Sequence, residues 1–229
     1  MLNNDIIHKE SEAKREKVWF VSDLHFSHRN ILKFQKLRQD VLGFTLEDPD
    51  AIKKMDEYMI ELWNSQVSKR DRVYILGDLS FGTSEDIKKL LGKLNGNKIL
   101  IRGNHDASTL GLENYFSEVR ELKTITFKKT VFPFLEENMT CVLCHFPLFT
   151  WDRRTHGSIM VHGHCHGSID KINLESKELR VDVGIDGGLC KYMKFVELED
   201  LYNYMKGITG GRSFQEYIDE KMEQDGFRM

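Results

Sequence analysis

The chain has 229 residues, of which 40% are hydrophobic and 30% are charged, a composition typical of globular proteins. Its formal net charge of −3 at pH 7 provides no overall attraction to nucleic acid or to an anionic membrane. No run approaches the roughly 20 apolar residues of a membrane span, and the polar start does not resemble a signal peptide. We therefore expect a cytoplasmic protein whose four cysteines are reduced and mostly buried.

The first half of the chain alternates short apolar runs with amphipathic stretches. The apolar runs Lys17–Ser22, Arg72–Leu76 and Lys98–Arg102 are rich in β-formers and predict buried strands. Apolar residues at helical spacing predict helices over Asp50–Gln66 and Ser84–Leu94. The resulting order favours a βαβ arrangement with parallel strands.

The second half has more strand candidates and no long helix between them, which indicates a second, more mixed sheet. These candidates are Glu118–Phe127, Thr140–Cys144, Ser158–Val161, Leu179–Val183 and Phe195–Leu198. An amphipathic stretch, Phe214–Met222, predicts a terminal helix docked on the surface. We divide the chain into a polar leader (residues 1–16), one main domain (17–206) and a C-terminal tail (207–229).

Side chains that can bind metal follow five of the strand-like runs. They are Asp23 and His25, then Asp78, then Asn104, His105 and Asp106, then His145, and finally His164 and His166. Loops at the carboxyl ends of strands in α/β sheets converge on one edge. Imidazole and carboxylate groups together suit Mn, Fe, Zn or similar ions better than Mg or Ca. Nine groups exceed the needs of one ion, so we expect a pair of ions about 3.5–4 Å apart.

Five motifs occur in order along the chain: DLH at Asp23, GD at Asp78, GNHD at Asn104, a lone His145, and GHCH at His164. This set resembles the calcineurin-like metallophosphoesterase superfamily. The segments FSHRNI and RVDVGID are similar to a subgroup of small single-domain microbial and phage phosphoesterases. The resemblance covers roughly Val18 to Leu198. It implies an α/β fold, a four-layer α/β/β/α sandwich with two facing mixed sheets.

The resemblance also implies a role for each motif residue. Asp23, His25 and His166 would hold the first metal, Asp78 would bridge both, and Asn104, His145 and His164 would hold the second. A hydroxide bridging two cations would attack phosphorus, because the cations lower the pKa of water. His105 would assist the leaving group, and Asp106 is the neighbour expected to orient His105.

We therefore expect a dinuclear phosphoric ester hydrolase acting on a phosphomonoester or phosphodiester. Mn²⁺ is the favoured ion, with Fe, Zn or Ni as alternatives. The expected partner is a small phosphorylated substrate or a nucleotide, with no membrane partner. The alternatives are a nuclease or nucleotide pyrophosphatase using the same centre, and an inactive scaffold. The scaffold is disfavoured because every motif position carries a competent residue.

Several residues near the motifs admit two interpretations. His28, Arg29 and Asn30 either contact a substrate phosphate or begin a helix over Ile31–Leu37. Arg102 on its buried strand forms either an ion pair or a phosphate contact.

Two further features are interpreted as structural. On a continuous strand, His162 would lie on the same face as His164 and His166, but the motif pattern needs only those two. We therefore expect His162 to pack in the core or to lie behind the metal ligands. Cys141 and Cys144 form a CxxC, but residues three apart on a strand point to opposite faces. We therefore expect two structural thiols rather than a zinc or redox site.

Overall fold

The computed structural model describes residues 16–43, 47–190 and 193–224. The strands are β1 (Val18–Val21), β2 (Arg72–Ile75), β3 (Asn97–Ile101), β4 (Glu118–Arg120), β5 (Leu122–Phe127), β6 (Met139–Cys144), β7 (Ile159–His162), β8 (Arg180–Asp182) and β9 (Val196–Glu197). The α-helices are α1 (Ile31–Phe34), α2 (Lys36–Leu42), α3 (Ala51–Gln66), α4 (Ser84–Lys93), α5 (Asp170–Ser176), α6 (Leu198–Thr209) and α7 (Phe214–Gln224). The predicted leader, except for Glu16, lies outside the described residues.

The first sheet has the strand order β4-β3-β2-β1-β9. Strands β1 to β4 run parallel to their neighbours, and β9 pairs antiparallel with β1. Helices α3 and α4 connect the parallel strands, as the alternating pattern predicted. Met55, Met59 and Trp63 of α3 are fully buried with Val21 and Ile75 of the sheet, because parallel strands need cover on both faces.

The second sheet has the order β5-β6-β7-β8. Strands β6, β7 and β8 are parallel, and β5 is antiparallel to β6. Phe20 and Tyr74 from the first sheet share one buried cluster with Leu143 and Val161 from the second. The two mixed sheets therefore face each other across a common core, which confirms the predicted fold class.

The segment predicted as one strand over Glu118–Phe127 is two strands in different sheets. β4 pairs with β3 in the first sheet, and β5 pairs with β6 in the second. Glu121 is the residue at the crossing, and nothing in the local hydrophobic pattern marks it. The prediction was wrong there because strand pairing is decided by partners distant in sequence.

The sequence also underestimated the helices of the second half. Helices α5 and α6 were not predicted, and α6 continues past the proposed domain boundary at residue 206 to end at Gly210 in the left-handed conformation. The predicted terminal helix is present as α7. Its residues Phe214, Tyr217 and Ile218 are buried in the core shared by the two sheets.

The cysteines behave as the sequence indicated. All four are free thiols, and three of them are buried. Cys141 packs in the core between the sheets, whereas Cys144 packs with Trp151 in a small cluster on the outer face of the second sheet. The two thiols of the CxxC thus lie on opposite faces. Among the described residues, no helix combines the length and apolar character needed to cross a bilayer.

Candidate metal centre

The carboxyl ends of four parallel strands place the predicted ligands side by side. β1 leads to Asp23 and His25, β2 to Asp78, β6 to His145 and β7 to His166. Two overlapping groups have all their ligand atoms within 4.8 Å of one another: Asp23 with His25 and His166, and Asp23 with Asp78 and His145. Five of the seven predicted ligands therefore belong to these two groups.

The first group converges on a point. The Nε2 atoms of His25 and His166 lie 3.2 Å apart, and each is 3.9 Å from Oδ1 of Asp23. Imidazole and carboxylate ligands bind divalent zinc, as an example, at about 2.0–2.2 Å. Donors sharing one such ion lie roughly 3–4 Å from each other, so these three side chains fit a divalent cation.

The second group surrounds Asp78, whose two oxygens face different histidines. Oδ1 is 3.6 Å from Nε2 of His145, and Oδ2 is 3.8 Å from Nε2 of His25. Nε2 of His145 also lies 3.0 Å from Oδ1 of Asn104. One carboxylate oxygen toward each group is the arrangement that a bridging ligand requires. His164 belongs to neither group, although its ring centroid is 5.1 Å from that of His145.

The backbone at the candidate ligands is strained. Asp23, His25, Asp78, His164 and His166 all have φ between 48° and 68°, a region that costs a non-glycine residue roughly 1–2 kcal/mol. Hydrogen bonds between the loops hold part of this geometry, since the amide of His25 donates to the carbonyl of Asp78 at 3.0 Å. Strain of this kind is concentrated at functional sites.

Glycines in the motifs permit close approach of the loops. A Cβ on Gly77 would lie 2.5 Å from Nδ1 of His145 and 2.7 Å from the backbone of Gly103. A Cβ on Gly163 would lie 2.6 Å from Oδ2 of Asp23. A side chain at either position would therefore collide with a candidate ligand of the centre.

The outward nitrogens of two candidate ligand histidines are hydrogen-bonded to acceptors. Nδ1 of His145 donates to the carbonyl of Leu76 at 2.7 Å, and Nδ1 of His166 donates to Oδ2 of Asp186 at 2.8 Å. With the proton fixed on Nδ1, the Nε2 lone pair of each ring faces the site, which is the tautomer that a metal ligand needs.

Asp186 is itself held by an arginine that the motif pattern did not reveal. Arg38 on α2 donates through Nε to Oδ1 and through Nη2 to Oδ2 of Asp186, at 2.8 Å and 2.7 Å. Both side chains are 0% exposed. Arg38 also donates to the backbone carbonyls of Asp23 and Leu24. A buried arginine, a carboxylate and a ligand histidine thus form one chain that ends at the site.

Burial and charge set the protonation of these groups in the absence of a cation. Burial raises the pKa of Asp23 to about 7, against an opposing effect of His166. Burial lowers the pKa of His25 to about 2, so its imidazole is neutral. Burial alone would raise the pKa of Asp186, but the charges and hydrogen bonds of Arg38 and His166 together outweigh it and lower the pKa to about 2. A bound cation would favour the ionised form of Asp23.

Asp106 does not orient His105 as expected from the sequence. Its Oδ2 accepts hydrogen bonds from the amides of Gly103 and Asp78 at 2.7 Å and 2.9 Å, and its Oδ1 accepts from the amide of Leu79 at 2.9 Å. The carboxylate is buried and satisfies backbone donors that would otherwise have no partner. Its function in the structure is to join the second and third motif loops.

His105 lies at the edge of the centre. Its side chain is 45% exposed, and its Nε2 is 4.0 Å from Oδ2 of Asp78. Its backbone amide donates to Oδ1 of Asp78 at 2.9 Å. The ring belongs to neither metal group, so it is free to contact a substrate.

The structure decides the interpretation of Arg102 and places His162, whereas both interpretations of His28 stay open. Arg102 pairs with Glu113 and Glu121, which is the ion-pair interpretation. His162 is buried, with Nε2 facing the amide of Asn173 at 3.3 Å, and it lies outside both metal groups. His28 remains near the centre, with its ring centroid 5.3 Å from that of His25.

Residues 16–200 match the calcineurin-like phosphoesterase family, and the chain belongs to this family. Membership implies metal-dependent phosphoester hydrolysis, and the Asp and His groups described above can supply the metal site.

Relatives of similar size support the assignment. The Gene 66 protein of Mycobacterium phage L5 is 27% identical over 83% of this chain and 94% of its own length. The Gene 66 protein of Mycobacterium phage D29 is 31% identical over 74% of this chain and 87% of its own. An uncharacterized protein of Methanocaldococcus jannaschii is 30% identical over 74% and 82%. In fold, the chain is similar to a protein of unknown function from Aquifex aeolicus, with a TM-score of 0.58 and 20% identity over 83% of this chain and 100% of that one.

Proposed function

We propose that this chain hydrolyses a phosphomonoester or phosphodiester with two divalent metal ions held at the strand-end centre. The proposal rests on the two overlapping groups of metal-binding side chains, both of which include Asp23. In addition, Asp78 has one carboxylate oxygen near His25 and the other near His145. A single ion would contact the side chains of one group and leave the carboxylate and imidazole ligands of the other group unused.

In this proposal the ligands divide between two positions. Asp23, His25 and His166 hold one ion, Asn104, His145 and His164 hold the other, and Asp78 contacts both. Their mixed nitrogen and oxygen donors favour Mn²⁺, with Fe, Zn or Ni as alternatives. The bound ions would activate water for attack at phosphorus and neutralise charge on the phosphoryl oxygens.

His105 assists departure of the leaving group. Its imidazole is exposed, lies 4.0 Å from a ligand carboxylate and is not used in either donor group. Proton transfer or charge stabilisation by such a group is typically worth about 10²–10⁴ in rate. The benefit is greatest for alkyl esters, because an alkoxide is a far poorer leaving group than a nitrophenolate. The substrate would be a small phosphorylated molecule or a nucleotide.

The test uses metal-free protein reloaded with Mn²⁺ and assayed on paired mono- and diesters, each with an aryl and an alkyl leaving group. Asp78→Asn should lose both metal binding and turnover. His105→Ala should keep both metals but lose about 10²–10⁴ in rate on alkyl esters, and much less on aryl esters. His156→Ala, which removes an exposed histidine away from the motifs, is the matched control.

One result would overturn the proposal, and a second would remove the role of His105. If wild-type protein loaded with Mn²⁺, Fe²⁺, Zn²⁺ or Ni²⁺ binds metal but hydrolyses neither ester class, the proposal fails and an inactive scaffold is favoured. Alternatively, an unchanged rate of His105→Ala on alkyl esters would remove the leaving-group role while leaving the metal centre intact.

A further inference from the structure

The His105 imidazole has no hydrogen-bonded partner to fix its orientation within the part of the chain that the structure describes. Its backbone is anchored to Asp78 through the amide, but its ring is 45% exposed and its nearest carboxylate oxygen is 4.0 Å away. Asp106, the neighbour expected to orient it, is fully used by three backbone amides. A group that must meet a leaving oxygen in one direction therefore needs another restraint.

The ring in closest contact with His105 is that of Phe81. The two ring centroids are 4.6 Å apart, with an interplanar angle of 37°. The Phe81 ring also stacks on His28, with centroids 3.8 Å apart and planes 9° from parallel. Phe81 thus lies in contact with imidazoles from the first and third motif loops. It is only 38% exposed, although it lies at the rim of the centre.

The backbone of Phe81 is fixed independently of these ring contacts. Its amide donates to the carbonyl of Phe26 at 2.8 Å, and the amide of Phe26 donates to the carbonyl of Leu79 at 3.0 Å. Ser80 forms a parallel bridge with Phe26. The loop after β2 is therefore paired with the loop after β1, and the Phe81 ring leaves a rigid strand-like segment rather than a free turn.

We propose that Phe81 is a positioning residue for His105. Its ring, which is stacked on His28, limits the rotation of the His105 imidazole and holds it toward the metal centre. The inference rests on the leaving-group role proposed for His105. Phe81 does not contact the reacting atoms; it keeps an exposed imidazole, which has no hydrogen-bonded orienting partner, in a productive direction. Loss of such positioning commonly reduces rates by about ten- to a hundredfold.

The experiment compares rate constants on an alkyl and an aryl phosphoester of the same class, in Mn²⁺-loaded enzyme. Phe81→Leu should slow the alkyl ester by about tenfold or more and the aryl ester by much less, which is the same pattern as His105→Ala but weaker. Phe81→Tyr keeps the ring and should restore the wild-type ratio. In the double variant Phe81→Leu/His105→Ala, the loss should equal that of His105→Ala alone, because Phe81 acts through His105.

Two controls separate positioning from general damage. Tyr115→Ala removes another half-exposed ring that forms no ring contact with the site histidines, and it should leave the ratio unchanged. Metal content and thermal unfolding should match the wild type in every variant compared. If Phe81→Leu fails to fold, His28→Ala removes the supporting ring instead and should lower the alkyl rate selectively, though less.

The outcomes distinguish this inference from the proposed function. If His105→Ala slows alkyl esters selectively but Phe81→Leu slows both esters equally or neither, the positioning role is wrong and the function of His105 stands. Additive losses in the double variant would contradict it in the same way. If His105→Ala itself shows no selectivity for the leaving group, both the role of His105 and the inference fail.

Discussion

Replacement of Arg38 tests whether the buried Arg38–Asp186 pair supports the metal centre. Arg38→Met preserves most of the side-chain volume but leaves the fully buried Asp186 carboxylate without its guanidinium. Breaking one partner of a buried ion pair typically costs about 3–5 kcal/mol, a large fraction of the roughly 5–15 kcal/mol that stabilises a typical domain. A second effect concerns His166, whose Nδ1 is held by the same carboxylate. Loss of such an outer partner lowers metal affinity about 10- to 100-fold.

The assay has two parts that can disagree. Urea unfolding of metal-free protein measures the free energy of unfolding, and titration of the folded protein with Mn²⁺ measures affinity. The double variant Arg38→Met/Asp186→Leu removes both charges, so it should recover much of the stability while its metal affinity stays low. Lys171→Met, which breaks an exposed pair with Glu175, should change neither quantity. Wild-type metal affinity in the double variant would refute the proposed chain from Arg38 through Asp186 to the site.

The remaining predictions concern the same edge of the sheets. Gly163→Ala should destabilise the protein by about 1–3 kcal/mol and reduce metal binding, because its Cβ would lie 2.5 Å from Cβ of Ser22; unchanged urea unfolding would contradict this. In metal-free protein the Asp23 carboxyl has a pKa of about 7, above its ordinary 3.8, because the folded state binds this proton more tightly than the unfolded state. The stability that this proton contributes is fully present below about pH 4 and is lost as pH rises through 7. Asp23→Asn should remove that component from a pH series of unfolding curves, and an identical pH profile would refute the assignment. Thr83→Ala removes the capping box formed with Asp86 on α4 and should lower the melting temperature slightly without affecting Mn²⁺-dependent turnover.

The sequence predicted the parts of the molecule that depend on local pattern. β1, β2 and β3 were identified because each is a short apolar run that ends at a motif, and parallel strands bring their carboxyl ends to one edge. The convergence of Asp23, His25 and Asp78 followed from that topology.

The features that were missed depend on tertiary contacts. The sequence does not show that Arg38 is buried, because an arginine on a short helix is usually exposed. Its burial depends on Asp186, which lies 148 residues away. Asp106 was assigned to its neighbour in sequence, whereas its carboxylate turns toward backbone donors of another loop. The division of Glu118–Phe127 between two sheets was missed for the same reason.

We expect this centre to hold two divalent ions through the seven motif residues. A crystal structure of the Mn²⁺-loaded protein, with anomalous scattering recorded at the manganese edge, tests it most directly. We expect two anomalous peaks about 3.5–4 Å apart, one beside His25 and His166, the other beside His145 and Asn104, with Asp78 between them. A single peak, or two peaks without Asp78 between them, would contradict the account.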